Sequence, residues 1–295
     1  MSTRIVMISD THSRTPRISQ IPNGDVLIHA GDLLQDPQGI KTYQDEIKQL
    51  DWIKNASHSF KVVIGGNHDS FLGHLYNNPL APDSAAKKAI QDAFSDTNHG
   101  FRYLQDEACE IVVRGHTWRV FGSPKSLKGN TYAFQHEPGT DPWMTDGKCI
   151  IPYNTDILIV HGPPLDLPPI GSQFLDRDQA NPSGGDEKLA SHIPIACKLV
   201  VCGHVHSGAG IGLRHHKGTG KEGRSWMLVN AAGVVSHYPA EPYEEDEMRS
   251  FRVVDLDHLT GLAKEIVWQD LKMVQPDLMA GNEMPANNSP VVRMS

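Results

Sequence analysis

The chain has 295 residues, with 27 Lys and Arg against 35 Asp and Glu, a formal charge of −8 at pH 7. Hydrophobic residues at 39% and charged residues at 21% fit a chain that buries a core, and they exclude a disordered one. The acidic balance disfavours a protein whose main task is to grip the phosphate backbone of long nucleic acid.

Short apolar, β-branched runs recur along the chain and predict buried strands. In order they are Ile5–Ile8, Val26–His29, Phe60–Ile64, Ile111–Val113, Trp118–Phe121, Ile157–Val160, Leu199–Cys202, Trp226–Val229 and Phe251–Val254. Between the second and third, Tyr43, Ile47, Leu50 and Ile53 share one face of a predicted helix. A second helix is expected from Ala85 to Phe94 behind the polar Asp83-Ser84, and a short third from Asp186 to Ile193. Strands mixed with helices imply an α/β fold, a four-layer α/β/β/α sandwich with two mixed sheets and flanking helices. Ser123–Asp146 and the Pro-rich His161–Gly185 read as irregular, and Gly210–Arg224 as an extended basic hairpin. One domain over residues 1–270 is expected, with 271–295 as a tail that is mobile or strapped to the surface.

No apolar run approaches the roughly 18 residues that would span a bilayer, and Arg4–Ile8 opens as a strand with no signal-peptide pattern. Cys109, Cys149, Cys197 and Cys202 are scattered and form no CxxC, so a reducing cytoplasmic setting fits better than a disulfide framework. Cys197 and Cys202 read as small core residues.

The chemistry gathers where strands end. Ile5–Ser9 runs into Asp10-Thr11-His12, Val26–His29 into Ala30-Gly31-Asp32, and Phe60–Gly65 into Gly66-Asn67-His68-Asp69. Ile157–Val160 runs into His161-Gly162, and Leu199–Cys202 into Gly203-His204-Val205-His206. A lone Asp or His at a strand end is usually a cap or turn residue; five such ends in succession point to one ligand-binding edge. Carboxylate, amide and imidazole donors without thiolate suit Mn²⁺, Fe or Zn²⁺ rather than a closed structural zinc site. Two such ions can clamp both oxygens of an in-line displacement at phosphorus. His29, inside a strand, reads as a core or supporting residue, and His215-His216 as an exposed hairpin tip rather than a further metal clip.

The series DxH, GD, GNHD, H and GHxH resembles the metallophosphoesterase (calcineurin-like phosphoesterase) superfamily. Leu27–Asp32, Gly122-Ser123-Pro124, His161–Pro164 and Val229-Asn230-Ala231 narrow the resemblance to its MPPED-type class III phosphodiesterase branch. The resemblance implies two divalent ions, Mn with Fe or Zn as alternatives. Asp10, His12 and His206 would hold one, Asn67, His161 and His204 the other, and Asp32 both, with a shared hydroxide as nucleophile. His68 would protonate the leaving oxygen and Asp69 would orient His68. The implied substrate is a small nucleotide-like or aryl phosphate ester.

Gly65-Gly66 before Asn67 and Leu33-Leu34 after Asp32 depart from the protein Ser/Thr phosphatase pattern of this superfamily. Around the core, Lys125 and Tyr132 are candidate substrate contacts, a phosphate partner and a stacking platform; packing beneath the loop is the competing reading for Tyr132 and the favoured one for Phe134. A nuclease, a scaffold on the same fold and a metal enzyme with a non-phosphate substrate stay open as rivals. Oligomeric state is not legible from the residues.

Overall fold

The computed structural model describes residues 1–16, 18–34, 43–70, 72–73, 84–129, 132–166, 168, 173–177, 184–215, 225–233, 251–266 and 292–294. Each predicted strand forms. The first sheet is built on β1 (Ser2–Ile8), β2 (Val26–Ala30), β3 (Phe60–Ile64) and β4 (Phe101–Tyr103), all parallel. The later strands β15 (Arg252–Asp257) and β16 (Ala263–Glu265) extend it beyond β1, giving the order β16-β15-β1-β2-β3-β4. The second sheet uses β5 (Glu107–Val113), β6 (His116–Ser123), β11 (Ile157–Val160), β12 (Leu199–Cys202), β13 (Gly210–His215) and β14 (Ser225–Asn230). Its order is β13-β14-β12-β11-β6-β5, with β17 (Val292–Met294) on the far edge against β5. The centre, β6, β11, β12 and β14, is parallel, while β5 and β13 run antiparallel to their neighbours. Both sheets are thus mixed.

Alternation along the strands builds the layers, because successive side chains point to opposite faces. Ile5, Met7, Val26, Ile28 and Val62 point between the sheets and meet Trp118, Val120, Ile157, Val201 and Val229 in one core. Val6, Ile8, Leu27 and Val63 point the other way, onto Leu50, Trp52, Ile53 and Phe94 of the helical layer. On the far side of the second sheet, Phe121, Leu158, Val160 and Val200 pack under Trp143, Ile151, Leu189 and Ile193. Three apolar interfaces make four layers, the expected sandwich. The last layer is thin: its helix, α4 (Glu187–His192), has six residues, and its Asp186 cap accepts from the Lys188 and Leu189 amides.

The helices differ from expectation in one place. The face predicted from Tyr43 to Ile53 is two helices, α1 (Tyr43–Gln49) and α2 (Asp51–Asn55). At their junction the Leu50 N–H bonds the Ile47 carbonyl at 3.0 Å, a tighter i→i−3 turn that buries Leu50 and redirects the chain. Helix α3 (Ser84–Ser95) covers its predicted span. The irregular stretch Ser123–Asp146 contains three two-residue strands, β7 (Ser126–Leu127), β8 (Gln135–His136) and β9 (Met144–Thr145), and a fourth, β10 (Lys148–Cys149), follows it, all too short to carry a period. Residues 216–224 of the basic hairpin, 267–270 at the end of the expected domain, and 271–291 and 295 of the tail lie outside the described residues. Among the described residues no helix is long and apolar enough to cross a membrane.

Candidate metal centre

The five blocks converge because their strands are parallel in both sheets and open at the same edge. The sheets are stitched there: the Ser9 N–H donates to the Ala231 carbonyl at 2.9 Å, and the Gly233 N–H to the Ser9 carbonyl at 2.9 Å. The chain then turns sharply. Asp10, His12, Asp32 and His204 all hold left-handed backbone, with φ of 57°, 45°, 54° and 67°. Such conformations cost on the order of 1–3 kcal/mol each in non-glycine residues and cluster at functional sites. Backbone bonds between loops hold them, Asp10 N–H to Gly31 O at 2.9 Å and His12 N–H to Asp32 O at 3.1 Å. Gly66 is required by contact: a Cβ there would lie 2.7 Å from Cε1 of His161 and closer still to the Asp32 carboxylate.

Among the described residues three groups of side-chain donors form, each with its atoms within 4.8 Å of one another: Asp10, His12 and His206; His12, Asp32 and His68; Asp32, His161 and His204. Asp32 belongs to two of them. Nε2 of His206 is 3.3 Å from Oδ1 of Asp10, and Nε2 of His161 is 3.3 Å from Oδ2 of Asp32. Oδ1 of Asn67 lies 2.9 Å from the same His161 nitrogen. All seven residues read as metal ligands therefore meet at one edge. The rings are aimed from behind: Nδ1 of His12 bonds the Leu34 carbonyl at 3.1 Å and Nδ1 of His161 the Ala30 carbonyl at 3.0 Å, which turns both Nε2 atoms inward.

Buried carboxylates and imidazoles shift one another's protonation. Burial raises the Asp10 carboxyl, but its bond with His206 and the charges of His161, His206 and His12 outweigh it and hold it well below the carboxylate range. Asp32 is lowered in the same way, burial being overcome by His161. Burial opposes protonation of His161, yet Asp32 raises it, whereas burial and the His161 charge lower His204 to about 4. Buried carboxylates beside imidazoles, without thiolate, are a donor set that fits divalent cations.

His68 is half-buried beside the donor groups. Its ring meets His12 edge-on at 5.0 Å between centroids and lies 4.7 Å from the Tyr132 ring. Its Nδ1 has no hydrogen-bond partner among the described residues. The expectation that Asp69 orients His68 is corrected here. The buried Asp69 carboxylate accepts instead from the amides of Gly66 at 2.7 Å, Leu34 at 3.0 Å and Leu33 at 3.4 Å. It therefore braces the loop after β2 against the loop after β3. Burial, then the nearby Asp32, pushes its pKa up to about 7 against the pull of the Gly66 and Leu34 amides.

The two substrate candidates part company. Tyr132 packs on His68, and the next residue's amide, Ala133 N–H, donates to the Asn67 carbonyl at 3.1 Å. Lys125 is instead paired with Asp106 and lies 5.6 Å from the Trp143 ring centroid. Phe134 packs against the helical core of the first sheet. His29 is buried, bonds Thr11 Oγ1 at 3.0 Å through Nε2 and meets Trp52 edge-on, a supporting position. Arg214, within the expected basic hairpin Gly210–Arg224, is buried and pairs with Asp166. No spacing rule marks Asp166 as part of the surrounding framework, because its partner Arg214 lies 48 positions away; Asn230 stands in the Val229-Asn230-Ala231 block, but its partners lie 25 and 55 positions away and only the structure shows them.

A family model described as calcineurin-like phosphoesterase matches residues 3–208. The chain is 32% identical to metallophosphoesterase domain-containing protein 1 of Homo sapiens over 222 residues, which is 71% of this chain and 62% of that protein. It is 33% identical over 211 residues to a stretch of the probable rhamnogalacturonate lyase C of Emericella nidulans, covering 70% of this chain and 17% of that protein. The chain thus spans less than two thirds of the length of either relative.

Proposed function

The chain belongs to the calcineurin-like phosphoesterase family, and from that membership we propose that it is a metal-dependent phosphoric ester hydrolase, a phosphodiesterase acting on a small nucleotide-like or aryl ester. The observation that carries the proposal is the double membership of Asp32, which shares one donor group with His161 and His204 and another with His12 and His68. In this reading Asp10, His12 and His206 hold one ion, Asn67, His161 and His204 the second, and Asp32 both. Mn is the favoured metal, with Fe or Zn as alternatives, because the donors are oxygen and imidazole. Bound divalent ions supply Lewis acidity at phosphorus and acidify water.

The chain's own residues do the rest. The carbonyls of Leu34 and Ala30 fix the tautomers of His12 and His161. The His204 amide donates to both Asp10 oxygens at 3.1 and 3.0 Å, which sets that carboxylate between the sheets. His68 delivers a proton to the leaving oxygen, supported by its place beside Asp32 and by its partial exposure. Asp69 contributes by fixing the two loops. Tyr132 offers a stacking face for the substrate's aromatic part. Lys125 reaches substrate only by giving up Asp106. The four free cysteines support a reducing, cytoplasmic setting.

The test is a panel of phosphomonoesters, nucleotide and aryl phosphodiesters and single-stranded DNA, assayed with added Mn²⁺. Diester hydrolysis above the other classes is expected. No turnover of any ester by metal-loaded protein would remove the proposal.

A further inference from the structure

We propose that Asn230 is a positioning residue of the metal centre: it sets the His204-Val205-His206 turn from the neighbouring strand and ties that turn to the Pro-rich segment through Leu175. The inference rests on the reading of His204 and His206 as metal ligands.

Asn230 ends β14 and is fully buried. In the parallel pairing of β12 and β14 it stands opposite Cys202, two positions before His204. Its side-chain amide is used in three directions. Nδ2 donates to the Val205 carbonyl at 2.9 Å and to the Leu175 carbonyl at 2.9 Å, and Oδ1 accepts from the Ala232 N–H at 3.1 Å. Only one orientation of the amide serves these partners, since two carbonyls need donors and one N–H needs an acceptor.

Val205 is the lever. It lies between the two imidazoles, so rotation of its peptide would move both rings. His204 holds left-handed backbone at φ 67°, a conformation that relaxes unless its surroundings impose it. Asn230 supplies that hold from a different strand. The packing leaves no slack, because a Cβ on Gly208 would lie 2.7 Å from the Leu175 oxygen and 3.1 Å from Nδ2 of Asn230.

The other arm reaches outward. The Leu175 N–H donates to Oδ2 of Asp166 at 2.8 Å. Asp166 takes both branches of the buried Arg214 guanidinium, at 2.5 Å from Nε and 2.7 Å from Nη2. Arg214, Asp166, Leu175 and Asn230 therefore form one connected line from β13 to the ligand turn. Outer partners of this kind typically govern metal affinity by roughly 10–100-fold.

The experiment is calorimetric titration of the metal-free full chain with Mn²⁺, alongside its thermal midpoint. Asn230→Asp keeps the size but removes both N–H donors and sets a carboxylate against two carbonyls; Asn230→Ala removes all three bonds. Both are expected to bind Mn²⁺ roughly 10–100-fold more weakly. Activity of Asn230→Ala on a good substrate should recover to within a few-fold at saturating Mn²⁺. Folded variants with a lowered midpoint and wild-type Mn²⁺ affinity would overturn the proposal, since a role confined to stability moves only the first. Should neither variant fold, Arg214→Lys decides. It keeps the charge but loses the fork to Asp166, and a several-fold weaker affinity is expected; an unchanged one overturns the proposal. A wild-type chain that binds no Mn²⁺ would overturn the metal-centre reading and this inference with it.

Discussion

Nε2 of His12 stands 3.2 Å from Nε2 of His206, a contact between residues 194 positions apart. At this distance one ring can donate its N–H to the other, and with both nitrogens unprotonated the two lone pairs can instead converge on a cation. Asp10 completes a donor group of the size a cation would need, in line with the proposed metal centre. Two divalent ions per active chain are expected by elemental analysis, and a chelator should abolish activity that added Mn²⁺ restores. Asp32→Ala, which removes the ligand common to both ions, should leave activity at background. Fewer than one ion per chain in active wild-type protein would rule out the paired centre.

His68→Ala should keep its metal and lose roughly 10²–10⁴-fold in rate. The loss should shrink as the leaving group improves, because a good leaving group needs little protonation. His68 also stands in a donor group with His12 and Asp32. If metal content falls with the substitution, His68 is a ligand and not the acid. Asp69→Ala separates the two roles of the block: having no bond to His68, it should preserve the leaving-group dependence while costing on the order of 3 kcal/mol of stability, measured by denaturant unfolding of the metal-free chain, from three orphaned amides.

Tyr132→Ala should raise KM for a nucleotide-like diester roughly tenfold, equivalent to about 1–3 kcal/mol of stacking, with little change for a small artificial ester. Lys125→Ala should affect both substrates alike, because its ammonium is held by Asp106. Equal effects of Tyr132→Ala on both esters would assign that ring to packing over His68.

A pH dependence of stability is written into His58, away from the centre. Burial, with the charge of Lys61 adding to it, lowers its pKa from 6.5 to about 4. Between those values the unfolded chain binds the extra proton, so acid favours unfolding. Stability should therefore fall as pH drops from about 6.5 to about 4 and level off below, by about 3 kcal/mol in all. His58→Gln should flatten that portion of the curve relative to wild type in metal-free protein. Parallel curves for the two proteins would show that His58 is not the group responsible.

The strands and the ligand blocks were legible because both are local. Ile5–Ile8 or Leu199–Cys202 is apolar on both faces, as a strand between two layers must be, and the residues that follow need only a sharp turn to face the shared edge. The strand-end pattern marks the blocks that hold Asp10, His12, Asp32, Asn67, His161, His204 and His206, the family resemblance picks these seven as ligands, and the structure brings all of them together. The tertiary structure alone decided what each charged or polar neighbour touches. Asp69 binds amides 35 and 36 positions earlier, Arg214 turns inward to an Asp 48 positions away, and Asn230 reaches a carbonyl across 55. Lys125 pairs with Asp106 across a bend between strands. Such partners are chosen by the packing of one layer on the next, and a buried hydrogen bond is satisfied by whichever group the fold delivers, so no period or spacing in the chain encodes it.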